Sequence, residues 1–174
     1  ATMLDLLKEA GRDVIAVGKI FDIFDGQGVT EKIKTTGNTN GIAFTKALQT
    51  RDFEGLAFVN LVDFDMLYGH RRDVAGYAAA ATEFDKFVAD FIPGMREGDI
   101  LTVTADPGCD PSYTKTTDHT REYVPYLICG KGVKPGVDLG TKLCFGTIAH
   151  TICDYLGVDA SSLDGHSVLQ EILK

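Results

Sequence analysis

The sequence predicts an α/β fold, with a mostly parallel sheet flanked by helices. Short, almost continuous apolar runs rich in Val, Ile and aromatic residues are typical of strands buried on both faces. Stretches with apolar residues at helical spacing alternate with these runs, and such alternation is most simply folded as a parallel sheet. The predicted strands are 13–18, 55–62, 100–105 and 126–129.

Composition and charge limit the classes of partner. The 174 residues fit one domain, and 44% hydrophobic with 24% charged residues is ordinary for a globular protein. A net charge of −8 argues against a general nucleic-acid surface, so no nucleic-acid partner is expected. No signal peptide or membrane-length apolar run is found, so we expect no membrane partner and a cytoplasmic location.

The four cysteines lack the CxxC spacing of metal and redox motifs. Reduced thiols in a cytoplasmic protein are the simplest interpretation, although the sequence leaves a disulfide pair open. The cysteines are Cys109, Cys129, Cys144 and Cys153.

The chain begins with a helix feeding a strand. Residues 2–10 have helical periodicity and end at Gly11, which predicts a glycine stop. Lys19 follows directly after strand 13–18, where a cation could face an anionic ligand, although a solvated lysine is the commoner outcome. Residues 21–28 are predicted as a loop.

A polar connector then leads into the next helix. Residues 35–41 are rich in turn formers, and Thr39 or Asn40 could cap a helix over 42–50. Their hydroxyl and amide groups could also contact a ligand, but capping is the commoner use.

Strand 55–62, predicted to be buried on both faces, ends in a cluster of polar side chains. Asp65 and His70 lie five residues apart in a Gly-containing loop, and Asp and His both bind Mn, Fe or Zn. The alternative is that Asp63 or Asp65 caps a helix starting near Arg72 and His70 is a surface histidine. This stretch alone supports both interpretations.

A long helix and a third strand follow. Residues 74–91 carry an aromatic and Ala-rich stripe at helical spacing, which predicts a helix packed against the core. Strand 100–105 again ends in a carboxylate, Asp106. Pro107 favours an extended conformation for Asp106, as at a strand end.

The last third of the chain supplies one more candidate ligand. His119, ahead of strand 126–129, could join Asp65 and His70 at the same sheet edge. Arg121 and Glu122 are expected to pair with each other or to position this loop.

Two further helices complete the prediction. A helix over 145–156 contains His150, which is expected to be packed or on the surface. A terminal helix opens near Ser167, which either holds an anion or satisfies backbone amides.

The combination of motifs resembles the phosphopentomutase family of the alkaline phosphatase superfamily. The resemblance runs along essentially the whole chain, which corresponds to the carboxyl-terminal part of that family's sequence. It implies an alkaline phosphatase-like core, with 1–174 as part of the catalytic core domain and with the amino-terminal part and cap domain absent. The matching motifs are 18–20, 60–65, 68–73 and 117–125.

The resemblance implies interconversion of ribose or deoxyribose 1-phosphate and 5-phosphate through a phosphothreonine enzyme with two Mn ions. Asp65, His70 and His119 would hold one metal, Asp106 would help hold the other, and Lys19 would lie near the pentose phosphate. The nucleophilic threonine lies outside this chain. The chain alone is therefore expected to be inactive and to bind one Mn or none.

One residue departs from the family pattern. The family has Thr-Ala-Asp-His-Gly after the third strand, and here the histidine position is Pro107, which removes a ligand from the second site. Alternatives are therefore a non-catalytic metal-binding or interaction domain, or another metal-dependent phosphomutase such as a cofactor-independent phosphoglycerate mutase. The resemblance also has a consequence for stability. Without the amino-terminal strands of the family, an unpaired sheet edge is expected to make the chain associate or to leave it only marginally stable.

Overall fold

The structure is a computed structural model that describes all 174 residues, in two compact units. The first unit comprises 1–34, 51–60 and 132–174, and the second comprises 35–50 and 61–131. In chain order the elements are α1 (Met3–Glu9), β1 (Asp13–Val17), α2 (Ile20–Ile23), β2 (Glu31–Ile33), α3 (Asn38–Leu48), β3 (Gly55–Val59), a π-helical turn (Phe64–Gly69), α4 (Val74–Phe91), a 3-10 turn (Ile92–Gly94), β4 (Leu101–Thr104), β5 (Tyr126–Cys129), α5 (Gly146–Tyr155) and α6 (Leu169–Ile172).

The first unit is built on a parallel sheet of order β2-β1-β3. The central strand β1 is buried from Val14 to Val17, as its continuous apolar sequence predicts. Leu4 and Leu7 of α1 and Cys153 of α5 pack into the same core with no exposed surface. Each such leucine contributes about 1.5–3 kcal/mol through burial, so α1 and α5 are held to the sheet mainly by apolar contact.

The prediction that strand 55–62 is buried on both faces is wrong. The strand ends at Val59, and every residue of β3 is only half-buried. The reason is its place in the sheet, because β3 pairs with β1 alone and forms the end of the strand order. Strand β2 was not predicted from the sequence, because it is short and contains Glu31 and Lys32.

The second unit contains an antiparallel pair, β4 and β5, in register from Leu101 opposite Cys129 to Thr104 opposite Tyr126. The sequence pattern predicts both strands in one mostly parallel sheet. Parallel neighbours need a crossover, usually a helix, and the connection 105–125 forms none. The α/β class with a parallel sheet and flanking helices is confirmed, and the partners of these two strands are the correction.

Helix α4 has the bounds that the sequence predicted, Val74–Phe91. Its cap is Asp73, whose carboxylate accepts a hydrogen bond from the backbone N–H of Gly76 at 2.9 Å. Neither Asp63 nor Asp65 caps this helix, so that alternative interpretation is wrong.

Helix α3 begins at Asn38, four residues before the predicted start at 42. The Asp63 carboxylate accepts a hydrogen bond from the backbone N–H of Asn38 at 2.7 Å, and the Asn38 side-chain oxygen accepts one from the backbone N–H of Asp63 at 3.0 Å. Thr39 and Asn40 therefore lie inside the helix, and the predicted caps are wrong because a residue distant in sequence satisfies the first amide.

Three smaller observations complete the fold. The segment 21–28, predicted as a loop, begins within the single turn α2. All four cysteines are unpaired. None of the helices combines the length and the hydropathy needed to span a bilayer.

Candidate metal centre

A π-helical turn sets the spacing of the first two candidate ligands. The backbone N–H of His70 donates to the carbonyl of Asp65 at 3.0 Å, which closes the turn over five residues. Gly69 is required inside it, since a Cβ there would lie 2.9 Å from the Phe64 carbonyl oxygen and 3.0 Å from Cys109 Sγ. Single π-helical turns of this kind are frequent at functional sites.

The structure brings together three of the predicted ligands. The ligand atoms of Asp65, His70 and His119 all lie within 4.8 Å of one another. Asp65 Oδ1 is 3.3 Å from His70 Nε2 and 3.2 Å from His119 Nε2. The two imidazole rings are 4.8 Å apart between centroids.

The hydrogen bonds of this cluster fit a divalent cation. His70 Nδ1 lies 2.6 Å from the carbonyl oxygen of Thr117, and because a carbonyl only accepts, Nδ1 carries the proton. In the neutral ring Nε2 then presents a lone pair towards Asp65 Oδ1. That oxygen is buried and has no hydrogen-bond partner, an arrangement that costs free energy without a cation between the groups.

The chemical types of the three ligand atoms also fit a divalent cation. One carboxylate oxygen and two imidazole nitrogens suit Mn, Fe, Co or Zn, and three protein ligands leave coordination positions for water or substrate. The bond from His70 to the Thr117 carbonyl fixes the ring orientation and tautomer, as second-shell partners do in metal sites.

The loop that carries His119 is held by hydrogen bonds, not by apolar burial. The Thr120 hydroxyl accepts from the backbone N–H of Asp110 at 2.7 Å and donates to the carboxylate of Glu122. Bonds from the Ser112 hydroxyl and backbone N–H lower the pKa of Asp110. Glu122 thus helps to position the loop, as expected, but it forms no ion pair with Arg121.

Asp106 and Lys19 are not part of the three-residue cluster. Asp106 lies two residues beyond the end of β4 and is exposed. Lys19 precedes α2 in the first unit and is also exposed. Pro107 follows Asp106 and offers no side-chain ligand.

The remaining polar residues that the sequence analysis considered have structural partners. His150 Nε2 lies 2.9 Å from the carbonyl oxygen of Leu163, in keeping with a packed histidine. The Ser167 hydroxyl donates to Asp154 at 2.7 Å and accepts from the backbone N–H of Leu169 at 3.1 Å. Ser167 therefore satisfies a backbone amide, the second of its two predicted roles.

Arg72, one of the four residues between the π-helical turn and α4, was not predicted from the sequence to contribute to the site. Its guanidinium contacts carbonyls of the loop that carries His119. No sequence signal identifies such contacts, because backbone carbonyls carry no residue identity. The only local feature in the sequence that points to Arg72 is its position two residues after His70.

Comparison with known proteins places the chain in a family. The profile of the Metalloenzyme superfamily matches residues 7–160. A phosphopentomutase from Acetivibrio thermocellus is 52% identical over 172 residues, which cover 99% of this chain and 44% of the relative. One from Lachnoclostridium phytofermentans is 53% identical over 173 residues, with 99% and 44% coverage. This chain thus spans less than half the length of these relatives.

A solved structure supports the fold. Leishmania mexicana phosphoglycerate mutase, crystallised at low cobalt concentration, matches with a TM-score of 0.73 and 17% identity, over 95% of this chain and 38% of that one. At this identity the likeness shows the fold alone, and it agrees with the alkaline phosphatase-like core that the family resemblance implies. The profile match over residues 7–160, which is most of the chain, shows that the chain belongs to the Metalloenzyme superfamily.

Proposed function

We propose that this chain is the metal-binding, carboxyl-terminal part of the catalytic core of a cytoplasmic phosphopentomutase. The complete protein would interconvert ribose or deoxyribose 1-phosphate and 5-phosphate through a phosphothreonine. The observation that carries the proposal is the cluster of Asp65, His70 and His119, with one buried carboxylate oxygen lacking any hydrogen-bond partner. Relatives named phosphopentomutase that match nearly the whole chain support it.

The residues would divide the work as follows. Asp65 Oδ1, His70 Nε2 and His119 Nε2 would bind one Mn ion, and the Thr117 carbonyl would keep the His70 proton on Nδ1. A bound divalent cation would supply Lewis-acid stabilisation of the charge on a transferred phosphoryl group.

The remaining roles complete the proposal. Asp106 would contribute to a second Mn site, and Lys19 would attract the phosphate of the pentose phosphate. The nucleophilic threonine would come from sequence outside this chain, so the chain alone would show no turnover.

The proposal is tested by exchange into a complete relative. The stretch of the Acetivibrio thermocellus phosphopentomutase that matches this chain is replaced by the chain, and turnover of ribose 1-phosphate to ribose 5-phosphate is measured. We expect turnover above background in the chimera, and none in a chimera with Asp65→Ala. Absence of turnover in a folded, Mn-loaded chimera would contradict mutase competence.

Pro107 favours a second candidate, a non-catalytic metal-binding domain derived from the same family. The two are separated by Pro107→His in the chimera. If Pro107 removes a ligand from a working second site, histidine should raise turnover by more than about a hundredfold, since loss of a direct ligand exceeds the tenfold to hundredfold effect of a second-shell change. A Pro107→His chimera that binds Mn but stays inactive supports the non-catalytic domain.

The third alternative is separated by substrate. Turnover of phosphoglycerate and not of pentose phosphate by the chimera would indicate a phosphoglycerate mutase.

A further inference from the structure

The Arg72 side chain donates hydrogen bonds to backbone carbonyls of the π-helical turn and of the loop that carries His119. Its planar guanidinium presents several N–H donors in a fixed fork, which suits several acceptors at once. Cys109 Sγ also lies 3.7 Å from one terminal nitrogen. The carbonyl oxygens that accept from the guanidinium belong to Gly69 (3.2 Å), Asp110 (3.3 Å), Thr116 (2.8 Å) and Asp118.

These bonds fix the segment directly before His119. Arg72 holds the carbonyls of Thr116 and Asp118, and His70 Nδ1 donates to the carbonyl of Thr117 between them. Three consecutive carbonyls are thus bonded by His70 and Arg72, two residues that follow the π-helical turn. The next residue is His119, whose Nε2 lies 3.2 Å from Asp65 Oδ1.

The backbone of Arg72 shows that this position is specialised. Its φ is 54°, a left-handed conformation that residues with a side chain rarely adopt. Its backbone N–H donates to the Gly69 carbonyl at 3.1 Å, so the backbone and the side chain of Arg72 both bond to the same carbonyl. The neighbouring Arg71 is exposed.

We propose that Arg72 is a positioning residue, which sets the affinity of the metal centre by holding the loop 110–118 so that His119 faces Asp65. The inference rests on the proposed metal centre. The charge of Arg72 and its positioning role predict opposite effects on metal affinity when the side chain is removed. A guanidinium repels a nearby divalent cation, so on charge alone its removal would tighten metal binding, whereas loss of the loop anchor would weaken it.

The first test is titration of the metal-free protein with Mn²⁺ by calorimetry. We expect Arg72→Gln to weaken binding by roughly tenfold to a hundredfold, the usual effect of losing a second-shell partner. Arg72→Lys should not restore affinity, because an ammonium group cannot span the same carbonyls. The matched control, Arg71→Gln, removes the same charge from the adjacent residue and should bind at least as tightly as the wild type.

A second readout needs no metal. In chelator, trypsin should cleave after the exposed Lys115 faster in both Arg72 variants than in Arg71→Gln, since the loop has lost its anchor. Wild-type affinity in Arg72→Gln, or cleavage no faster than in the control, would overturn the inference. If the wild type itself bound no Mn²⁺, both the proposed function and this inference would fail, whereas unchanged binding in the Arg72 variants overturns the inference alone.

Discussion

Asp65 is the residue at which the stability of the metal-free protein and the proposed metal binding are opposed. Its Oδ1 is buried without a hydrogen-bond partner and faces Nε2 of both His70 and His119. Without a cation, such a group lowers the stability of the folded state by about 1–3 kcal/mol. A metal ion between the three ligand atoms would remove that cost.

This conflict predicts the behaviour of Asp65→Asn. The amide can donate a hydrogen bond to an imidazole nitrogen but is a poor metal ligand, so in chelator the variant should melt no lower than the wild type. With Mn²⁺ at a hundred times the Kd of the wild type, binding should raise the free energy of unfolding of the wild type by about 2.7 kcal/mol, which corresponds to roughly 5–10 °C in Tm. The same Mn²⁺ concentration should not change the Tm of the variant. Thermal melts with and without chelator measure both effects.

The control for this comparison is Asp52→Asn, which removes an exposed carboxylate of the other unit. It should keep the Mn²⁺-dependent rise in Tm. An equal rise in Asp65→Asn would contradict the assignment of Asp65 as a ligand.

At this scale the convergence of the three candidate ligands could be predicted, and the contacts that support them could not. Asp65, His70 and His119 are residue types with known metal chemistry, placed after strands or next to them, so their convergence follows from sequence and resemblance. The partners that orient them are backbone carbonyls, such as that of Thr117, and these leave no mark in the sequence. The role of Arg72 was missed for the same reason.

At the scale of the elements, Asp63 connects α3 to the π-helical turn. Its carboxylate satisfies the first N–H of α3, while Asn38, which is 4% exposed, returns a bond to the Asp63 backbone. Asp63, the residue that directly precedes the π-helical turn, is therefore bonded to the start of α3.

Asp63→Ala should lower the free energy of unfolding by about 0.5–2 kcal/mol, the usual cost of losing an N-terminal cap. The effect should be local, so amide hydrogen exchange should accelerate in the first turn of α3, from Asn38 to Gly41. Asp63→Asn keeps an acceptor oxygen and should retain most of the protection. Equal exchange rates in the alanine variant and the wild type would show that this bond does not hold the helix.

A pH effect is expected between β2 and the segment before β3. Arg51 donates two hydrogen bonds to the Glu31 carboxylate, at 2.7 and 2.5 Å, and they lower the pKa of Glu31 from its ordinary 4.5. A carboxylate with a depressed folded-state pKa contributes stability above its unfolded pKa and loses it as the pH falls through the folded value. The contribution is small, because both side chains are more than a third exposed.

Glu31→Gln should therefore lower the urea midpoint at neutral pH, and the difference from the wild type should shrink to zero as the pH falls below 4.5. Urea unfolding along a pH series measures it. A difference that persists at the lowest pH would mean that the substitution acts through packing and not through the ion pair.

At the scale of the elements, local sequence patterns predict the bounds of helices and strands but not which strands pair. Helix α4 and strand β5 have the predicted bounds, because periodicity and turn residues are local properties. The pairing of β5 with β4 and the edge position of β3 depend on which strands become neighbours. An apolar run cannot distinguish a central strand from an edge strand whose side chains are half-covered.

For the whole molecule, the free edge of β3 is the feature with consequences in solution. β1 is its only strand partner in the chain, so the backbone groups on its other side meet no further strand. Such an edge favours pairing with another chain. Sedimentation velocity over a wide range of protein concentration should therefore show association, and a single monomeric species throughout would contradict this.

The most direct test of the account is the position of the metal. A crystal grown with Mn²⁺ should give one strong anomalous-difference peak per chain between Asp65 Oδ1, His70 Nε2 and His119 Nε2, within coordination distance of all three ligand atoms. A peak at Asp106 in addition would extend the account to the second site. No peak at the three-residue cluster, or one that remains there in Asp65→Ala crystals, would contradict it.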